Sequence, residues 1–406
     1  MSDSELHRVV PDTPVAPELA ERVLAWSREQ LEAMLTLLDQ LVRIESPSHD
    51  ADAQIPLLER VARELSELGY RTRHLPGRNS GGSLFARPAK RERGRPTQLL
   101  LGHGDTVWPL HTLEEMPAQV REGRMTGPGV YDMKAGLTLL IFALRALREL
   151  ELEPPCTPLV LINTDEEIGS RESTPNIRRL ARVVDRAFVL EPSLGVEGRL
   201  KTARKGVGRF TITVQGRAAH AGLDPEGGVS AILELSHVIQ TLFALNDVER
   251  GITVNVGTID GGLAANVVAP ESRAVVDVRV RTVDDAQRIE RAIFALEPST
   301  PGATLNIEGQ IGRPPMEPTA GNRALWETAR RVGVALGLEL EEATAGGGSD
   351  GNTTSLFVPT LDGLGAVGDG AHAPHEFVFT EKLVERGALL ATLLLVPPLA
   401  AGGRTA

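Results

Sequence analysis

Apolar and polar positions along this chain alternate between two periods. Glu18 to Ile44 repeats apolar residues at helical spacing, through Leu19, Val23, Leu24, Leu31, Leu35, Leu38 and Val42. Gln54 to Leu68 predicts a second amphipathic helix. Short apolar runs at Gly82–Ala86, Gln98–Leu101, Pro158–Asn163 and Ala187–Leu190 predict strands, with a helix at Ala135–Leu150. Strands alternating with helices argue for an α/β fold around a mostly parallel sheet. Ligands of such sheets gather at the carboxyl ends of the strands. Three polar clusters stand directly after strand candidates: His103 with Asp105, Asp165 with Glu166 and Glu167, and Glu191.

The middle of the chain changes character. Arg209–Val214 alternates as a strand, Val229–Leu245 is helical, and Ile252–Ile259 and Arg273–Val280 are strands. Asp284–Leu296 reads as a helix capped by its own aspartates, and Thr304–Glu308 as a last strand. The order is β-α-β-β-α-β, the ferredoxin-like pattern. It predicts an inserted domain at 204–315 within a discontinuous first domain, 1–203 and 316–406. Helices at Asn322–Leu336 and Thr380–Leu395 complete that first domain.

Composition narrows the function. A formal charge of −11 disfavours a nucleic-acid partner, which would need clustered Lys and Arg. With 9 Phe, 2 Tyr and 3 Trp, a base-stacking surface is not expected. The single Cys156 excludes an intrachain disulfide and a four-cysteine zinc site, and fits a cytoplasmic, reducing setting. No apolar run reaches the ~18 residues of a membrane span. The stretch Ala388–Ala401 is interrupted by two prolines. The first residues lack the apolar core of a secretory signal, so none is expected.

Each polar cluster has two readings. His103 and Asp105, two apart, point to one face, where an imidazole binds a metal and a carboxylate orients it, or they belong to a glycine-rich turn. Asp132, in GPGVYDMKAGL, either caps the following helix or bridges two metal ions. Asp165, Glu166 and Glu167 repel one another unless a cation relieves them, one then serving as general base; a solvated acidic loop is the alternative. Glu191 ends a strand before Pro192. His372, with His375 as competitor, lies in the glycine-rich GDGAHAPHEF. Nitrogen and oxygen donors without cysteine suit zinc, cobalt or manganese.

Taken together, these motifs resemble the di-zinc exopeptidase family of glutamate carboxypeptidase, aminoacylase, acetylornithine deacetylase and succinyl-diaminopimelate desuccinylase. The resemblance runs from GHGDTV to GDGAHAPHEF, and the inserted domain falls where that family carries its dimerisation and lid domain. It implies two Zn2+ per chain, with His103 and Glu191 on one, Glu167 and His372 on the other, and Asp132 bridging. It implies Glu166 as general base, Asp105 as support for His103, and a cis peptide after Asp132. His220, in GRAAHAG, matches a histidine that reaches the partner subunit's active site, which implies a homodimer. The likeness is greatest to glutamate carboxypeptidase. Asn266, Arg279 and Arg313 then match positions that hold the substrate's terminal carboxylate and neighbouring groups, and GGGSDG at Gly346–Gly351 matches a substrate-carboxylate loop.

The implied activity is a metal-dependent carboxypeptidase or amidohydrolase that releases a C-terminal amino acid, glutamate, from an N-acyl or peptidyl group. An N-acyl amino acid deacylase or dipeptidase would carry the same metal motifs. A non-catalytic binding protein on the same fold would have lost the base or a ligand, and here both are present. A nucleotide-dependent oxidoreductase would need G-x-G-x-x-G, and GHGDTV lacks the third glycine.

Overall fold

The computed structural model describes residues 14–399. The residues before them, on which the reading of a missing secretory signal chiefly rests, and the end of the apolar stretch at Ala401, lie outside the described part. The chain divides into two compact units. One comprises the described residues up to Thr202, Pro318–Ala343, and those from Ser349 onward; the other is Ala203–Glu317 with Thr344–Gly348. Among the described residues no helix is long and apolar enough to cross a membrane.

The main helices are α1 (Pro17–Glu29), α2 (Leu31–Val42), α3 (Ala51–Glu67), α4 (Ala135–Glu149), α5 (Ala231–Phe243), α6 (Val283–Phe294), α7 (Ala320–Ala335) and α8 (Thr380–Leu394). The main strands are β1 (Tyr70–Leu75), β2 (Ser83–Pro88), β3 (Thr97–His103), β4 (Thr157–Asn163), β5 (Arg186–Val189), β6 (Gly206–Gln215), β7 (Thr253–Gly261), β8 (Glu271–Val280), β9 (Thr304–Arg313) and β10 (Thr360–Leu361).

In the first unit the strand order is β1-β2-β4-β3-β5-β10. The fold is mixed α/β: β4, β3, β5 and β10 pair in parallel, whereas β1 and β2 join antiparallel. Every residue of β3 and β4 is buried, as expected where both faces are covered. Leu100, Val160 and Ile162 pack into a core with α4 and α8, while Leu99, Leu101, Leu159 and Leu161 pack on the opposite face with Ile177 and Val184. The three parallel neighbours β4, β3 and β5 thus bring their carboxyl ends side by side.

The predicted helix through Glu18–Ile44 is two helices, broken at Gln30. Buried positions continue at helical spacing through the break, from Val23 and Ser27 to Met34 and Leu38, so the apolar period does not reveal it. No residue of the strand β1, YRTRHL, is buried, and its sequence is charged, so apolar periodicity does not predict it.

The second unit runs β6-α5-β7-β8-α6-β9, with sheet order β7-β8-β6-β9, all pairings antiparallel. Phe210, Ile212 and Val214 alternate inward on β6, as do Ala274, Val276 and Val278 on β8, against Leu235, Val238, Ile289 and Ile293 of the helices. The cap of α6 differs from expectation. Thr282 is the N-cap and its hydroxyl accepts from the Asp285 N–H; the aspartates lie in the first turn. There Asp285 is held by Arg250 and Thr282.

Candidate metal centre and catalytic site

His103 is the last residue of β3, and Glu191 stands just beyond β5. Asp132 lies in a wide turn, Val130–Lys134, ahead of α4. Its backbone is extended (φ −112°, ψ 98°), and the peptide to Met133 is cis. α4 begins at Ala135 with Lys134 as N-cap, so Asp132 does not cap it. Gly136 lets that first turn press on the end of β5, because a Cβ there would collide with the Leu190 carbonyl oxygen.

The Asp132 carboxylate faces two histidines. Its Oδ1 is 3.2 Å from His103 Nε2, and its Oδ2 is 3.6 Å from His372 Nε2. Glu191 Oε1 lies 3.4 Å from the same His103 nitrogen, and Glu167 Oε2 lies 3.1 Å from His372 Nε2. Two groups result: His103, Asp132 and Glu191, and Asp132, Glu167 and His372. In each, the donor atoms lie within 4.8 Å of one another, and Asp132 belongs to both. His372 adopts the left-handed backbone region (φ 61°), where a non-glycine residue is strained. The competing His375 is exposed and belongs to neither group.

The donor set fits divalent cations. Ligands held ~2.0–2.1 Å from a tetrahedral zinc are separated from each other by about 3.3 Å, and the contacts above are 3.1–3.6 Å. The electrostatics agree. Burial, followed by the Asp132 charge, pushes Glu167 up to about 7. The hydrogen bond that His372 donates to the Glu167 carboxylate raises the imidazole to about 9 against burial. Burial opposes protonation of His103, but Asp105, Asp132 and Glu191 outweigh it and carry its pKa well above the usual imidazole value. This cluster attracts positive charge from whatever source supplies it.

Asp105 joins two strand ends. Its carboxylate accepts from the Ser48 hydroxyl at 2.8 Å and from the N–H groups of Glu166 and Glu167 at 3.2 Å each. It lies 3.4 Å from His103 Nδ1, which is closer, at 3.0 Å, to the Asp105 carbonyl oxygen. One residue therefore holds both the imidazole and the turn bearing Glu166, which is itself buried. The three adjacent acids do not all crowd together. Asp165 turns away, and its Oδ2 accepts from the N–H groups of Glu172 and Ser173.

Two residues here were not singled out by sequence. Asp350, in the GGGSDG loop, accepts from Asn163 Nδ2 at 2.7 Å and from the Ser170 hydroxyl, on either side of the Glu166–Glu167 turn. This half of the loop is buried and ordered by the Ser349 capping box. Glu376 is also buried. It accepts from the N–H groups of Gly129, Tyr131 and Asp132 and from the Trp108 indole, at 2.8–3.0 Å. Burial pushes its carboxyl up, and these donors oppose the shift. The only sequence signal was proximity to His372. Lys134, also buried, donates to the Ile44 carbonyl; burial lowers it to about 8, against the pull of Glu376 and Glu45.

The remaining candidates lie in the second unit. His220 and Asn266 are neighbours: the Ala221 N–H donates to the Asn266 carbonyl, and His220 bridges to Val267. The His220 Nδ1 accepts from Gly222 and Leu223 N–H groups. Arg279 and Arg313 flank Val207 on opposite sides in one row across β8, β6 and β9. Arg279 already makes a forked pair with Asp277, at 2.8 and 3.0 Å. The Arg204 guanidinium donates to the Gly347 and Gly348 carbonyls, holding the other half of the glycine loop.

The chain is similar to known proteins over most of its length. Carboxypeptidase G2 of Pseudomonas sp. (strain RS-16) is 27% identical over 400 residues, covering 95% of this chain and 94% of that protein. Aminopeptidase PepT of Bacillus cereus ATCC 10987 shares the fold with a TM-score of 0.75 at 22% identity, covering 90% of this chain and 98% of that one. The YXEP protein of Bacillus subtilis, a dinuclear metal binding peptidase, does so with a TM-score of 0.66 at 16% identity, covering 91% and 98%. Residues 99–396 match one family throughout, a stretch that starts just ahead of His103 and extends beyond His372. On that match, this chain belongs to Peptidase family M20/M25/M40.

Proposed function

We propose that the chain is a di-zinc hydrolase that releases a C-terminal amino acid, glutamate, from an N-acyl or peptidyl group, acting as a cytoplasmic homodimer. The observation that carries the metal reading is the Asp132 carboxylate, with one oxygen toward each histidine. His103 and Glu191 would hold one cation, Glu167 and His372 the other, with Asp132 shared. Zinc, if held there, would supply Lewis acidity toward a water and the scissile carbonyl. Glu166 accepts the proton of the attacking water and delivers it to the leaving nitrogen. Asp105 fixes the backbone from which that base projects, because it takes the Glu166 N–H. Asn266, Arg279 and Arg313 are proposed to receive the terminal carboxylate, and Asp277 fixes the plane of the Arg279 fork. His220 would complete the partner's site and stabilise the oxyanion.

The substrate is tested with a panel of N-acyl amino acids and dipeptides, including N-benzoyl-glutamate and a folate, with a chelated control. Chelator-sensitive release of glutamate from the aromatic acyl substrates is the expected result. Release only from small acetyl substrates or dipeptides would favour a deacylase or dipeptidase and end the glutamate assignment.

The second unit supports the dimer. Its sheet has two edges, β7 and β9. β9 exposes Asn306, Glu308 and Gln310, typical of a protected edge. β7 instead exposes Ile259 (67%), followed by Leu263 (75%), and α5 exposes Ile232 and Leu233. Two copies pairing along β7 would cover these side chains. The double variant Ile259→Asp, Leu263→Asp is expected to shift the mass measured by light scattering from two chains to one. An unchanged dimer would place the interface elsewhere.

A further inference from the structure

We propose that Glu376 is a positioning residue that aims the two oxygens of Asp132, by fastening the turn that carries Asp132 to the segment that carries His372. This rests on the metal reading above. Glu376 Oε1 accepts from the Tyr131 N–H at 2.8 Å and from the Asp132 N–H at 3.0 Å. Its Oε2 accepts from the Gly129 N–H at 3.0 Å and from Trp108 Nε1 at 2.8 Å. The turn has no regular helical geometry at Asp132 or Met133; the backbone bonds that close it, from the Lys134 N–H to the Gly129 carbonyl and from the Ala135 N–H to the Val130 carbonyl, do not engage the N–H groups of Gly129, Tyr131 and Asp132. Its N–H groups converge instead on one carboxylate, four residues beyond His372 in sequence. A shift of Glu376 would therefore move the shared ligand relative to one of its two histidines. Trp108 follows the His103–Asp105 strand end, so the same carboxylate also ties in that third segment.

The chemistry is selective for a carboxylate. Each oxygen faces two N–H donors, and an amide has only one acceptor oxygen. In Glu376→Gln, either orientation of the amide sets its NH2 against two donors, at almost unchanged volume. Buried donors left unpaired displace the turn.

The test is cobalt(II) titration of the full chain, followed by visible absorption, with thermal melting as the check on folding. The wild-type chain is expected to take up two equivalents. Glu376→Gln is expected to bind the second equivalent about 10–100-fold more weakly, the range for loss of a group that orients a metal ligand, and to give an altered cobalt spectrum. Adding Trp108→Phe to Glu376→Gln removes one of the two clashing donors and is expected to recover part of the affinity. Two equivalents bound by Glu376→Gln with wild-type affinity and spectrum would overturn the proposal. Should the amide variant fail to fold, Glu376→Asp decides: it keeps the charge but cannot span all four donors, and an unchanged cobalt affinity and spectrum there would overturn the proposal equally. A wild-type chain that takes up no cobalt would instead overturn the metal reading itself.

Discussion

Glu166→Gln is expected to lower kcat by about 10²–10⁴-fold, the usual contribution of a general acid–base group. KM and the bound zinc, counted by atomic absorption, are expected to stay as in wild type. The reason is positional. The Glu166 backbone N–H is held by Asp105, and Glu166 is in neither group of clustered donors. The amide keeps the volume of the side chain but cannot take a proton from water. Wild-type kcat in this variant would remove Glu166 from the reaction. Lost zinc would instead make it a ligand.

Asp132→Asn should affect both the bound metal and the rate, since Asp132 alone belongs to both donor groups. Bound metal contributes several kcal/mol to transition-state stabilisation, and each ~1.36 kcal/mol is tenfold in rate. A fall of about 10³-fold or more in kcat/KM is expected, with zinc content dropping below two per chain. Chelation of the wild-type enzyme should mimic the variant. Added zinc should then restore the wild type and leave Asp132→Asn inactive. Removing the cations should also lower the melting temperature, because they bind the folded arrangement and not the unfolded chain. A variant that retains two zinc ions and full activity would show that the carboxylate facing both histidines is incidental.

Much of this site is legible in the order of residues along the chain. His103, the Asp165–Glu167 run and Glu191 each follow an apolar run, and a strand that ends in polar chemistry is a local signal. Asp132 is marked by its glycine-rich turn and His372 by a similar loop. The motif resemblance joins these pieces into one reading. Residues whose role consists of holding another residue leave no such mark. Glu376 reads as one acid among many, and its four donors come from segments more than 240 residues earlier in the chain. Asp350 is tied in the same way to Asn163 and Ser170. The pair of Arg279 with Asp277 is open to strand periodicity, because residues two apart share a face, yet a fork between them depends on rotamers that sequence does not specify.

Sequence alone determined the alternation of strands and helices, the β-α-β-β-α-β order of the middle segment, and the residue types at each strand end, because these depend on neighbours within a few positions. It left the break at Gln30 hidden, since the apolar period runs through it, and gave α6 the wrong cap, since Thr282 and the aspartates are all competent acceptors. Only the tertiary structure decided that β4, β3 and β5 lie side by side. That order brings His103 and Glu191 within 3.4 Å of each other. Sheet order is set by burial of both faces of the strands, a property of the whole packed unit, and the convergence of charge at their ends follows from it.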